Sequence, residues 1–197
     1  MTKYDICNMA LTFIGSTRPI SSFADQSTEA TICGRFYDIA RKSLLNETDW
    51  NFAKQSYTAL TVVTDEANQE YQYVYEYPDD AIRILSVGLG DHHKEPFKII
   101  YTDTDTDSVQ RIVCNLKNAM AEYIVNVENT DLMPAYFTEA LAWKLGGMIA
   151  IGLAKTPQIA QNAMQIQQGI VERAKYLSGA EKKQPLRSDN HYIRARR

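Results

Sequence analysis

The side chains best suited to chemistry are few. His92-His93 is the only histidine pair, and histidine is a common metal ligand and proton carrier. Adjacent histidines on an extended segment point apart, and no His-x-x-x-His or Cys-x-x-Cys spacing accompanies them, so a surface turn beside Gly90-Asp91 is expected. Asp103, Asp105 and Asp107 begin like a calcium loop. That pattern then requires glycine and glutamate at the places held by Ser108 and Cys114, and a solvated acidic turn is the better reading. The pair Asp79-Asp80 would suit acid–base hydrolysis if it faced a cleft, but charged strand ends are far commoner. Neither a Gly-x-Ser-x-Gly elbow nor a Gly-x-x-x-x-Gly-Lys phosphate loop occurs. The expectation is a chain that is not an enzyme, with no cofactor, no metal and no catalytic residues.

Composition constrains the setting of these residues. In 197 residues, the apolar fraction of 45% and charged fraction of 23% fit a globular chain with a sizeable core. Cys7, Cys33 and Cys114 are odd in number and widely spaced, which favours buried free thiols over a disulfide framework. Met1 leads into polar residues without the layout of a signal peptide. The apolar stretch from Leu145 to Ala154 is too short for a membrane span. Charge is uneven. From Lys182 onward, six cationic residues against Asp189 give a local +5, leaving −8 for the rest of the chain. An acidic body with a basic, Pro-interrupted end suggests a folded core with a docking tail. Arg194, Arg196 and Arg197 beside His191 and Tyr192 would also suit nucleic-acid phosphates and bases, but the acidic body and pI near 5.6 favour protein docking.

Periodicity supplies the elements. Ile6, Met9, Ala10, Phe13 and Ile14 have helical spacing that stops at Gly15. A longer helix after Ser27 places Ile32, Phe36, Ile39, Ala40 and Leu44 on one face, flanked by Cys33 and Tyr37. From Tyr57 to Val127 the period falls to two, with Tyr71, Tyr73 and Tyr75 alternating before Pro78, which predicts a small antiparallel sheet. Helices return after Pro134, with Phe137, Leu141, Leu145, Met148 and Ile149 buried. A last helix opens at Thr156-Pro157, its Ile159, Ala163, Ile166, Ile170, Ala174 and Leu177 along one face and glutamines on the other. The expected fold is mainly α: a bundle of about four helices with a small antiparallel β-sheet insertion and an extended C-terminal arm. The segments are 1–56 and 129–181 for the helices, 57–128 for the β-rich insertion, and 182–197 for the basic arm.

Several landmarks recur in a definite order. Asn8-Met9-Ala10-Leu11 leads to Ile14-Gly15, and the second helix closes on Trp50-Asn51-Phe52-Ala53. Tyr73-Val74-Tyr75-Glu76-Tyr77-Pro78 follows, then Pro134, Phe137 and Ala140-Leu141-Ala142-Trp143-Lys144-Leu145. This order, from about Tyr4 to Gly179, resembles the tail tubular protein A family, the head-to-tail adaptors of short-tailed bacteriophages. Gly146-Gly147 stands where small aliphatic residues are usual in the family. The resemblance implies a virion structural protein of the tail neck, assembled in the host cytoplasm as a dodecameric ring of copies of itself between the portal protein and a tail tubular protein B-like nozzle. DNA would pass through the ring, and no membrane is involved. It makes the arm from Pro185 the portal-facing candidate, with Arg187, Tyr192, Ile193, Arg194, Arg196 and Arg197 as contacts, and the β-rich insertion the nozzle-facing one. Trp50, Phe52, Phe137 and Trp143 are the expected structural core. The alternatives are a hydrolase with an unrecognised carboxylate site and a small nucleic-acid-binding protein acting through the basic arm.

Overall fold

A computed structural model describes residues 1–63, 68, 70–90, 93–103, 108–153 and 156–181. Helix α1 (Lys3–Phe13) starts from a capping box in which Thr2 accepts from the Asp5 N–H and the Asp5 carboxylate accepts from that of Thr2. It ends at Gly15, whose φ of +73° suits glycine. Ser27 caps α2 (Thr28–Glu47). Helix α3 (Ala135–Ala150) follows Pro134, which takes the N-cap position rather than the first helical turn. Helix α4 (Pro157–Ala180) opens with Pro157 inside its first turn, and the Thr156 side chain makes no capping bond.

Between α2 and α3 lie seven strands: β1 (Lys54–Ala59), β2 (Tyr73–Glu76), β3 (Ala81–Gly88), β4 (Lys94–Glu95), β5 (Phe97–Asp103), β6 (Ser108–Cys114) and β7 (Met120–Val125). They form two antiparallel sheets, ordered β1-β7-β3-β4 and β2-β6-β5. Of the described residues, 46% are helical and 24% are in strands, and one sheet curls into a half-barrel. The expectation of a mainly helical bundle with one small sheet is therefore wrong, and the protein is mixed α/β.

The physical reason lies in β3. Its pairing with β7 slips between Ala81 and Arg83 and again between Ile84 and Ser86. Each slip is a bulge that turns the alternation over. Ile82 and Leu85, the extra residues, pack with Ile124 into the helical core, whereas Ile84 and Val87 pack with Ala121, Tyr123, Ile112 and Tyr75 into a core between the sheets. The β3–β7 pair thus carries apolar residues on both faces and forms a middle layer. Tyr75, fully buried, donates its hydroxyl to the Leu116 carbonyl and accepts from the Ala119 N–H, closing the turn at Asn118, whose φ is +58°.

The inner face of α2 also departs from expectation. Ala30, Cys33, Tyr37, Ala40, Arg41, Leu44 and Leu45 are buried, Ile32 and Phe36 are half-buried, and Ile39 is exposed. The helix is rotated so that Arg41, only 1% exposed, reaches the end of β7. Its guanidinium donates to the Asn126 side-chain oxygen and the Val127 carbonyl, each at 2.7 Å, and to Asp38, with Glu128 at 3.7 Å. On α4 the packed stripe is Ala160, Ala163, Val171, Ala174 and Ser178, which leaves Ile166 and Leu177 exposed at its border.

Candidate functional site

Several of the landmark residues pack in the helical core, and some have a further physical task. Asn8 spans a loop: its side-chain amide donates to the Ile20 carbonyl at 2.9 Å and accepts from the Ile20 N–H at 2.8 Å. Trp50 is fully buried, edge-on to Phe137 at 5.1 Å, and its indole N–H donates to the Leu44 carbonyl at 2.8 Å. Leu44 lies in the last turn of α2, where carbonyls lack intrahelical donors, so Trp50 acts as a side-chain cap. Asn51 bonds to Ser178 of α4 through its backbone N–H and its side chain. Phe52, half-buried, meets Phe137 edge-on at 4.8 Å. Phe137 itself is fully buried.

Trp143 departs from the expected enclosure. It is half-buried, stacks on Phe13 at 4.1 Å, and lines a surface cavity of about 230 Å³ with Lys144, Met148, Met164, Gln167 and Gln168. Gly146 explains itself by proximity. A Cβ there would come within 3.3 Å of the Ala10 carbonyl oxygen and the Ile14 side chain, so the missing side chain lets α1 lie close on α3. Lys144 bonds to Glu47 at the end of α2.

Among the described residues, the candidate chemical groups do not converge. Asp79 lines a polar cleft of about 300 Å³ with Glu76, Arg111, Tyr77, Tyr123, Thr58 and Thr61. Its neighbour Asp80 lies beside Tyr123, whose phenol is pushed up first by burial and then by that carboxylate. Asp79 and Glu76 stand exposed to water, so the cleft offers polar contacts rather than a water-excluded reaction chamber. His93 sits 3.8 Å from Glu95 on the surface, and Asp103 accepts from the Ser108 hydroxyl across the first rung of the β5–β6 ladder. His92, Asp105 and Asp107 lie outside the described residues, as do Arg187, Tyr192, Ile193, Arg194, Arg196 and Arg197 of the arm.

The three cysteines are free and buried. Cys7 and Cys33 are neighbours across the α1–α2 contact, and the Cys33 sulfur, with burial, pushes the Cys7 thiol up. Burial likewise raises the Tyr37 phenol, to about 12. Arg41 is the polar centre that sequence reading missed. Its signal was a cation at helical spacing within the stripe Tyr37-Ala40-Leu44, which is easily read as a solvated flank. Among the described residues, no three His, Cys, Asp or Glu side chains are placed to hold a metal ion, and no helix is long and apolar enough to cross a membrane. No protein-family model and no curated protein matches this chain.

Proposed function

We propose that this chain is a head-to-tail adaptor of the tail tubular protein A type, a non-enzymatic virion protein that forms a ring between a portal and a tail nozzle. The observation that supports this reading best is the convergence of the ordered landmarks. Ala10 and Ile14 of the first string, Trp50 and Ala53 of the second and Phe137, Ala140, Leu141 and Leu145 of the last lie in one core among the four helices, while Tyr75 of the third string lies in the core between the sheets. A shared pattern of this kind marks a shared scaffold rather than a reaction centre.

In this reading the arm from Pro185 binds the portal through its arginines and the Tyr192-Ile193 anchor, and the strands face the nozzle. Arginine and tyrosine are frequent hot-spot residues, and charge contacts of this type weaken with salt. The test is light scattering coupled to size exclusion, with and without an isolated portal ring. The chain should co-elute with the portal, and deletion of residues 185–197 should abolish co-elution while leaving the melting temperature nearly unchanged. A full chain that stays unbound at micromolar portal overturns the adaptor reading. A truncated chain that binds as tightly as the full one moves the docking surface to the body.

A further inference from the structure

The two sheets have four outer edges, and three are blunted. Beyond β2, the Val63 N–H donates to the Val74 carbonyl and the Glu76 N–H to that of Thr61, each at 2.9 Å. Strand β4 has only two residues. Strand β1 carries a register shift between Gln55 and Thr58 and is mostly polar. Strand β5 differs. Its seven residues pair with β6 in one unbroken register, Phe97 opposite Cys114 through Asp103 opposite Ser108, and among the described residues nothing pairs with its other side. The strand also exposes apolar surface, with Ile99 at 39% and Tyr101 at 72%. Long, regular, apolar edges are what natural sheets ordinarily avoid, because the unpaired N–H and C=O groups template another strand.

We propose that the outer edge of β5 pairs antiparallel with β5 of a second copy, about a two-fold axis through Ile100. The argument for a second copy is self-complementarity. In a two-fold antiparallel pair, residues equidistant from the axis on opposite sides face each other on the same side of the sheet. An axis at Ile100 sets Ile99 against Tyr101 of the other copy, twice, so each of the two exposed apolar side chains covers the other. Lys98 meets Thr102 and Phe97 meets Asp103, so no like charges are opposed. The two three-stranded sheets would become one of six strands. Because this contact is isologous, it cannot link neighbours around a cyclic ring. It belongs to the protein free of its partners and stands or falls separately from the adaptor reading.

Sedimentation velocity of the full chain alone, across a wide concentration range, tests the proposal. The wild-type protein should pass from monomer to dimer. Ile99→Lys and Tyr101→Glu, both at exposed positions and checked by circular dichroism and melting temperature, should each raise the dimer dissociation constant by about tenfold or more. An equimolar mixture of the two variants should dimerise again, since one of its two facing pairs then sets ammonium against carboxylate and the other is wild-type. A wild-type chain that remains monomeric throughout overturns the proposal, as does a dimer indifferent to both substitutions. Two weakened variants that fail to complement each other refute the Ile100 register.

Discussion

Replacing Trp50 tests the architecture most directly, because two separable contributions meet in one side chain. The indole is fully buried among Phe52, Tyr136 and Phe137, so truncation to alanine removes a large apolar group and leaves a cavity that the helices cannot fully close. That part costs about 3–5 kcal/mol. The second part is the Leu44 carbonyl, which loses its 2.8 Å donor at the end of α2. A buried acceptor left unpaired costs about 1–3 kcal/mol more, less where water enters the cavity. Trp50→Ala should therefore cost about 4–8 kcal/mol, a large share of the ~5–15 kcal/mol typical of a folded domain.

Trp50→Phe separates the two contributions. It keeps most of the ring and removes the donor, so its cost should be about 1–3 kcal/mol. Urea unfolding followed by far-ultraviolet circular dichroism measures both. The same variants have a spectroscopic reading, since the chain has two tryptophans. With Trp50 gone, emission comes from half-buried Trp143 and should shift to the red of wild type; Trp143→Phe should shift it to the blue. A Trp50→Ala variant as stable as wild type would refute the burial, and a harmless Trp50→Phe would refute the capping role.

Two glycines in helices should respond oppositely to alanine. Gly146→Ala should destabilise, because its Cβ meets the Ala10 carbonyl and Ile14 at 3.3 Å, whereas Gly169→Ala, with nothing within 4 Å, should stabilise by about 0.5–1 kcal/mol through helix propensity; thermal melts of both decide it. Arg41→Met should lower stability by about 1–3 kcal/mol by leaving the Val127 carbonyl without its donor, and Asp38→Asn, on the exposed side, should cost much less in the same urea assay. Stability should fall on acidification below the usual carboxylate range. Asp5, held low by the Thr2 N–H and hydroxyl, and Asp25, held low by the Ser21 and Ser22 N–H groups, each contribute above their unfolded pKa and lose that contribution as pH drops through the depressed folded value. Asp5→Asn with Asp25→Asn should flatten that acid limb in melts across pH.

Helices were legible because their ends carry local chemistry. Gly15, Ser27 and Pro157 mark boundaries within a turn of where they fall, and the interior periodicity needs no distant partner. The sheets were not legible in the same way. Gln55 opposite Tyr123 and Tyr73 opposite Cys114 are long-range pairings, and the two bulges of β3 scramble the two-residue alternation that would have revealed a layer buried on both faces. The α2 face was misread because hydrophobicity alone ranks Arg41 as exterior, while the open carbonyl of Val127 demanded a donor. The arm residues that the adaptor reading assigns to a portal were legible only as composition, since they lie beyond Glu181, the last described residue.

The layer buried on both faces bears on how an adaptor would work. Ile82, Leu85 and Ile124 belong to the helical core, while Ile84, Ala121 and Tyr123, on the same two strands, belong to the core between the sheets. Arg41 then ties α2 to Asn126 and Val127 at the end of β7. A displacement of the helices therefore cannot leave the middle sheet in place without tearing both a packed core and a buried polar clamp. Hinging between the helices and the sheets along β3 and β7 is opposed by this shared packing and by the Arg41 bonds. In the adaptor reading, a partner held near the end of α4 and another held by the strands would be coupled mechanically through this shared layer.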